Sequence, residues 1–451
     1  MEAITVQNRP EGRPYAAHYR FPLRYALTGE SHVLPFPTVK APQVVAFLAI
    51  KQAGDAAARD RDRAEDMAHL TALWKHYGAP LPDAGATHYY GAMGRFHLMW
   101  EQHTEFVAFN AFGEDLSNRP FDPADFDVFP AGWLENAPRQ RLTSSLLRLM
   151  PMPKGPDDIL EKLRGWFVPE SLAAADVLEG AAVVASDFRI DPAGHSRFAV
   201  FVPEATGNRR IGRIIQRLLE IETYKTMSMP GFALTREIAA DVGKIDHQVS
   251  DLMAQMRTQE SKPEETLDAL LDVSVELENM VAQTAFRFAG TAAYKAIVDE
   301  RIASLRETRF RGRQGSGEFM VRRYEPAMRT VISMERRLER SFARALRASD
   351  LLRTRVDVER SAQNQAILKT MDKRADLQLH LQKTVEGRSV VAISYYAVSL
   401  AGYLLYPLAE MLGTSKGVLP ALVTLPFVLL RWGPTRAGTF VVFVGLSLRA
   451  K

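Results

Sequence analysis

Hydrophobic positions recur every three or four residues through much of the second half of the chain. The first series alternates spacings of four and three residues, at Ile238, Val242, Ile245, Val249, Leu252 and Met256. The pattern resumes after Pro263, weakens at Thr291 and Lys295, and returns in register at Val298. This a/d spacing is typical of helices that pack as a coiled coil. We therefore predict long antiparallel coiled-coil or stalk helices over residues 230–388.

A third helix is predicted from about residue 318 to residue 388, with a kink at Pro326. At 1.5 Å per residue it would be about 100 Å long. Its apolar seam meets Glu359, Gln363 and Thr370 in the lower half. An apolar series then follows at Ile367, Met371, Leu377, Leu381 and Val385. Two interpretations stay open, a change of register or a polar-lined seam that faces an axial space in an oligomer.

The first half of the chain mixes both periodicities. Residues 42–74 are predicted to be helical, whereas residues 88–112 alternate apolar and polar positions and predict an antiparallel strand pair. A second pair is predicted at residues 181–190 and 196–202, joined by a turn, and an amphipathic helix follows at 211–224. The sequence therefore predicts an α+β body over residues 1–229, with a division into two subdomains near residues 151–156 left open.

Two apolar runs lie near the C-terminus. Ser389–Ala409 contains 21 residues without a charge, and Gly417–Leu430 contains 14 but includes Pro420 and Pro426. A bilayer core requires roughly 20 apolar residues of helix, so the first run is long enough and the second is short. These runs predict a C-terminal two-helix transmembrane hairpin over residues 389–432, followed by a tail at 433–451 that is cytosolic or on the membrane surface.

Basic residues flank both runs, at Lys373, Arg374, Lys383, Arg388, Arg431, Arg436, Arg449 and Lys451. The positive-inside rule then predicts that both flanks, and with them the N-terminal body and both termini, are cytoplasmic. The N-terminal segment has no apolar core of a signal peptide. We expect the protein in the bacterial inner (cytoplasmic) membrane, with the lipid bilayer as a partner.

Composition excludes some chemistry. The chain has no cysteine, which excludes disulfides, thiolate metal sites and cysteine nucleophiles. Residues 301–360 hold 16 arginines and eight acidic residues. Their interleaving predicts ion pairs between helices and a solvated face, and no nucleic-acid motif accompanies it, so no nucleic-acid partner is expected.

Catalytic motifs are missing from the sequence: it contains no P-loop, GxSxG, HExxH or dinucleotide-binding loop. We therefore predict no enzymatic activity and no cofactor. The strongest candidate chemistry is a divalent-metal site at His97, Glu101, His103 and Glu105, because alternate strand positions share a face and imidazole and carboxylate groups bind such ions. The alternative is four surface residues of a strand that a turn near residue 103 interrupts.

Four segments are distinctive: residues 349–404, HTEF at 103–106, SDFRI at 186–190 and RLLEIETYKTM at 217–227. Together they resemble a bacterial family of uncharacterised membrane-anchored proteins. The resemblance implies a domain of unknown function over nearly the whole chain, and it implies no activity. The segment SHVLPFP at residues 31–37 departs from the family's usual form, which has alanine and arginine in its middle.

The predicted outline is also similar to that of CorA-type magnesium transporters, which have a cytoplasmic α+β body, stalk helices and two C-terminal spans. Their Gly-Met-Asn motif is replaced here by the sequence at residues 410–413. In that interpretation the first span lines a pore with Ser394, Tyr395 or Ser399, and Glu410 surrounds its mouth.

These patterns lead to two hypotheses of function. The first is a membrane-anchored homo-oligomer that acts as a non-enzymatic scaffold or binding module and presents its cytosolic body at the membrane. The alternative is a CorA-like cation channel or transporter that carries a divalent cation.

Overall fold

The computed structural model describes residues 36–51, 63–82, 86–258 and 262–411, and residue 424. Within them the chain forms one nine-stranded sheet in the order β2-β3-β4-β1-β5-β8-β7-β6-β9. The strands are β1 Gln43–Lys51, β2 His88–Met93, β3 Phe96–Gln102, β4 Phe106–Gly113, β5 Gln140–Pro151, β6 Ala173–Val177, β7 Ala182–Ile190, β8 Ser196–Val202 and β9 Thr308–Arg309. Strands β5 and β8 are parallel, and the other neighbours are antiparallel.

The helices of the same residues include three long ones. They are α1 Arg63–Tyr77, α2 Ala131–Glu135, α3 Pro156–Trp166, α4 Asn208–Thr258, α5 Pro263–Leu305, α6 Ser316–Arg323 and α7 Glu325–Met411, and a 3-10 helix covers Pro123–Phe126. The helix predicted from residue 318 is divided at Tyr324, because Pro326 falls in the first turn of α7 and so begins a helix there. The chain has two compact units, residues 1–349 and 350–451.

Both predicted strand pairs are confirmed. Strand β3 pairs with β4, and β7 pairs with β8 across the turn at residues 191–194. Asp191 stabilises that turn, since its Oδ1 accepts hydrogen bonds from the backbone N–H groups of Ala193 and His195 at 3.0 and 2.9 Å.

The helix predicted over residues 42–74 is wrong for its first part. Residues 43–51 form the central strand β1, whose middle seven residues are all buried. Strand β1 pairs with β4 on one side and with β5 on the other, and both of its faces are covered. A central strand of this kind has a continuous apolar sequence, which periodicity alone does not distinguish from a buried helix.

The sheet carries a hydrophobic core on each face. One core holds the start of α4 and the end of α5 against the sheet, with Ile211, Ile214 and Leu218 from α4 and Val298 and Leu305 from α5. The other core is rich in aromatic residues from α1, α2 and the adjoining loops, among them Trp74, Phe129 and Trp133. Helix α4 is therefore fixed to the sheet through the apolar side of its first turns.

A third core lies between α4, α5 and the first part of α7. It contains several predicted a/d residues of α4 and α5 together with residues of α7: Val242, Ile245, Val249, Leu277, Phe288, Val331 and Leu338. Val273 of α5, which was not among the predicted positions, belongs to the same core. The predicted packing of long helices is confirmed for this region. Thr291, where the apolar pattern weakens, is also buried, and Gly231 of α4 lies close to it.

The predicted transmembrane hairpin is contradicted. Over the part of the chain that the structure describes, every helix falls short of the combined length and hydropathy of a bilayer span. The run Ser389–Ala409 forms the last turns of α7. The run is uncharged but less apolar than that suggests. Seven of its 21 residues are serine or tyrosine, whose hydroxyl groups are unfavourable in hydrocarbon.

The predicted location in a bacterial inner membrane depended on the same hairpin and is contradicted with it. The second apolar run, residues 417–430, lies outside the described residues except for Thr424, and so does the predicted tail at 433–451.

Candidate functional site

Glu105, one of the four predicted metal ligands, belongs to a buried ion pair. Arg287 Nη2 of α5 donates to Glu105 Oε2 at 2.9 Å, and the Tyr294 hydroxyl donates to Oε1 at 2.6 Å. Lys51 Nζ lies 3.9 Å from Oε2. The Arg287 side chain is 1% exposed and that of Glu105 6%. Burial, the hydrogen bond and the Glu105 charge raise the pKa of Tyr294. This carboxylate therefore joins the sheet to α5.

Glu101 and His103, two further predicted ligands, line one small gap between the sheet and α4. Glu220 and Tyr224 of α4 line the same gap, whose volume of about 20 Å³ is close to that of one water-sized probe. Burial, together with the charge of Glu220, raises the pKa of Glu101 to about 7. Glu220 itself accepts a hydrogen bond from Arg301 Nε at 2.5 Å.

The two histidines make aromatic contacts. His103 stacks on Phe106 with 4.3 Å between ring centroids, and the exposed His97 stacks on Tyr90 at 6.2 Å. The gap that Glu101 and His103 line includes neither of the other two predicted ligands. In the described ranges no group of three or more histidine or acidic residues is placed to hold a metal ion.

The residues predicted for a pore all lie in α7. Tyr395 is 70% exposed and Ser399 is half-buried, whereas the side chains of Ser394 and Glu410 lie outside the described part of the structure. The CorA-like interpretation required two membrane spans, and no described helix provides one.

A different site emerges where α4 begins. Arg209, Arg210, Arg213 and Arg217 occupy its first turns, and Arg306 follows the end of α5. These five arginines line an open cavity of about 1160 Å³, together with residues 178, 204–208, 303 and 304. We call it the arginine cavity. Arg209, Arg213 and Arg217 share one helix face because they are spaced four residues apart.

The local sequence explains why the arginines converge. Ile211, Ile214 and Leu218 are buried against the sheet, so the intervening arginines are directed away from it. Full burial of each such side chain contributes about 1.5–3 kcal/mol to stability. The start of α4 is therefore held in one orientation by its apolar side.

Hydrogen bonds connect the three segments around the cavity. Leu178 N–H donates to Leu305 O at 2.9 Å, and Arg210 Nη2 donates to Leu178 O at 2.7 Å. Arg217 Nη1 donates to Ser304 O at 2.9 Å. The turn after β6, the start of α4 and the end of α5 are thus joined through backbone carbonyls, which leaves the arginine charges without neutralisation by these bonds.

The local charge is strongly positive. Among the residues that line the cavity, Glu204 is the acidic one. Glu179 lies beside the rim and pairs with Arg210 at 3.3 Å and with Arg306 at 2.6 Å, both in exposed pairs that contribute little to stability. Burial, and then the neighbouring guanidinium groups of Arg213, Arg301 and Arg306, lower the pKa of Arg217. An anion in this cavity would relieve that repulsion.

The rim includes unusual backbone. Leu178, Glu179 and Arg306 have φ angles of 50°, 56° and 47°. Non-glycine residues seldom adopt this left-handed conformation, which costs on the order of 1–3 kcal/mol each. The contacts described above hold these residues in place and direct Glu179 and Arg306 to the same rim.

Guanidinium groups suit this cavity to oxyanions. Each carries five N–H donors in a planar fork that matches phosphate and carboxylate, and it stays charged at all relevant pH values. The positive end of the α4 dipole adds to the attraction within the first turn. Arg213 is further oriented by Phe36, whose ring centre is 4.6 Å from the guanidinium carbon.

The arginine cavity was not predicted from the sequence. The arginine-rich residues 301–360 and the amphipathic helix at 211–224 were assigned no ligand, and no role was predicted for the arginines at the start of that helix. The four-residue spacing from Arg209 to Arg217 was an available signal. No local signal indicated the contribution of Arg306, because this residue lies 89 residues after Arg217 and reaches the site only through the fold.

Comparison with known proteins gives one match. The family model described as "Protein of unknown function (DUF3422)" matches residues 19–437. This match confirms the expected domain of unknown function over most of the chain, and it carries no information on membrane anchoring or CorA-type transport. No curated protein and no solved structure matches the chain.

Proposed function

The chain belongs to the DUF3422 family, whose description names no activity, and we propose that it is a non-enzymatic binding module for an anionic ligand in the arginine cavity. The observation that carries the proposal is the convergence of five arginines, four from the start of α4 and one directly after α5, on one cavity of about 1160 Å³. The absence of known catalytic motifs from the sequence supports a binding role.

The dimensions favour a ligand with several negative groups. Arg209 and Arg217 are eight residues apart, which corresponds to about 12 Å along the helix axis. The arginines spread along this length offer more N–H donors than one phosphate can accept, and the cavity volume of about 1160 Å³ is just above the upper end of that of small-molecule sites, roughly 300–1,000 Å³. The ligand class is therefore a small molecule with two or more phosphoryl groups, each able to accept bidentate hydrogen bonds from arginine.

Calorimetric titration of the full chain with inorganic triphosphate, pyrophosphate and phosphate tests this function. We expect affinity to fall in that order and to weaken as salt is added, because exposed charges are screened. The double variant Arg213→Ala and Arg217→Ala should lose at least a factor of ten in triphosphate affinity, which is about 1.4 kcal/mol.

The matched control removes two exposed arginines further along α4, Arg236→Ala and Arg257→Ala. Neither residue lines the arginine cavity, so triphosphate affinity should be retained. The proposal is wrong if the wild-type chain binds none of the three probes, or if both double variants lose affinity equally.

A further inference from the structure

The second compact unit of the chain, residues 350–451, carries an exposed apolar surface. Its described part is the end of α7, where every side chain from residue 361 to residue 386 is exposed. Large apolar side chains are 52–64% exposed at Ile367, Leu368, Met371, Leu377, Leu379, Leu381 and Val385. Most helical stability in proteins comes from packing of an apolar face, and contiguous exposed apolar surface marks interaction sites.

Six of these residues share one side of the helix. At 100° per residue, Ile367, Met371, Leu381 and Val385 fall within about 80° of each other, and Leu368 and Leu377 flank them. We call these six residues the apolar stripe. Most charged residues of the same segment lie on the opposite side, at Lys369, Asp372, Lys373, Asp376 and Lys383. Two are exceptions, because Arg374 lies within the angular range of the stripe and Glu386 lies in line with Leu368 at its edge.

The stripe has a twofold pattern along the sequence. Positions 367, 371 and 374 are mirrored by positions 385, 381 and 378 about residue 376. If a second copy of the helix lies antiparallel, Ile367 faces Val385, Met371 faces Leu381, and Arg374 faces Gln378. The spacing of four, three, four, three and four residues in this series is that of a and d positions in a coiled coil.

Charge decides between the two orientations of such a pair. A parallel pair in register places Arg374 against its own counterpart, and like charges at a core position repel. The antiparallel pair replaces that contact with Arg374 against Gln378, whose amide oxygen accepts a hydrogen bond. The positions that flank this a/d series are uncharged and therefore disfavour neither orientation of the pair. They are Leu368, Thr370, Ala375, Leu377, Gln382 and Thr384.

We propose that the apolar stripe binds the same stripe of a second copy of this chain in antiparallel orientation. The segment from residue 367 to residue 385 is about 27 Å long, enough for six seam layers. The two polar layers in the middle favour this register, because a shift by one heptad places Arg374 against Met371 or Val385. This interface is independent of the arginine cavity, which lies in the other unit.

Sedimentation of the full chain over a concentration series tests the association. The wild-type chain should change from monomer to dimer, and Met371→Glu combined with Leu381→Glu should weaken the dimer at least tenfold. The matched control, Leu351→Glu with Leu379→Glu, changes two exposed leucines of α7 outside the stripe and should dimerise like the wild type. A wild-type chain that stays monomeric, or a control that is weakened as much, overturns the proposal.

Cross-linking tests the orientation. The natural chain has no cysteine, so introduced cysteines are unique. A mixture of Met371→Cys chains and Leu381→Cys chains should form a disulfide-linked dimer on oxidation, whereas each variant alone should not. Efficient cross-linking of Met371→Cys chains to each other would indicate a parallel pair and would overturn the antiparallel arrangement.

Discussion

Glu105 lies where β4 meets α5, and its carboxylate is almost removed from water. It was predicted as a metal ligand from the types of residue around it. In the structure the same buried charge is matched by Arg287 and by the Tyr294 hydroxyl. A carboxylate just before a strand is suitable for either role, and the facing helix decides between them.

Glu105→Gln should strongly destabilise the protein. Removing one partner of a buried pair costs about 3–5 kcal/mol, because the other charge stays buried without it. The free energy of unfolding from urea titration measures the loss. Asp241→Asn is the control, since the pair of Asp241 with Lys244 is exposed and should contribute little. Equal losses of unfolding free energy in both variants would show that the destabilisation by Glu105→Gln does not come from burial of its ion pair.

Glu101 should make stability depend on pH. Its pKa is raised from 4.5 to about 7 in the folded state, so the folded chain binds this proton more tightly than the unfolded chain. The resulting stability is present below pH 4.5 and is lost as pH rises to about 7. The total loss is at most about 3 kcal/mol.

The test compares the wild type with Glu101→Gln by urea titration between pH 5 and pH 8. The wild type should lose stability relative to the variant as pH rises. His69, whose pKa burial lowers to about 4, contributes the opposite trend between pH 4 and 6.5, and this trend cancels in the difference. A difference that does not change with pH would contradict the raised pKa of Glu101.

At the scale of elements, the contact between α4 and α5 depends on a glycine. A Cβ atom on Gly231 would lie 2.1 Å from Thr291 Oγ1. Thr291 also donates a hydrogen bond to Ser228 O at 3.2 Å. Thr291, which weakens the apolar pattern in the sequence, therefore lies at a close contact between the two helices. Among the glycines of α4, Gly231 is the one whose nearest neighbour belongs to α5.

Gly231→Ala should destabilise the protein by about 1–3 kcal/mol, the usual effect of overpacking a tight interior. Thermal and urea unfolding measure it. Gly165→Ala in α3 is the matched control, because nothing lies within 4 Å of its Cβ position and alanine favours helix. Combining Gly231→Ala with Thr291→Ala should restore part of the loss. A double variant less stable than Gly231→Ala would contradict the steric explanation.

Strand β1 shows how elements compete for the same sequence. Residues 43–51 are apolar almost throughout and were predicted to be helical. They are a strand because β4 and β5 provide hydrogen bonds on both edges, and cores on both faces bury the side chains. None of these partners is visible within a window of nine residues.

For the whole molecule, the two proposals rest on separate units. The arginine cavity belongs to residues 1–349 and the apolar stripe to residues 350–451. The stripe variants should therefore leave triphosphate affinity unchanged, and the cavity variants should leave dimerisation unchanged. Either proposal can fail without the other, because no residue is shared between them.

Local patterns in the chain were sufficient for the long helices, the two strand pairs and the absence of thiol chemistry. Helical seams and hairpin turns are encoded by residues within one or two turns of each other, so periodicity identifies them. Lack of charge near the C-terminus was not sufficient for a membrane span, because charge and hydropathy are different properties.

The candidate site depended on the fold. Glu105 was assigned to an ion pair by Arg287, which lies 182 residues away, and the arginine cavity was completed by Arg306, 89 residues from Arg217. Electrostatic energy depends on distances in space. Spacing along the chain determines which residues share a helix face or a strand edge, but only the packed sheet and helices decide which charges meet.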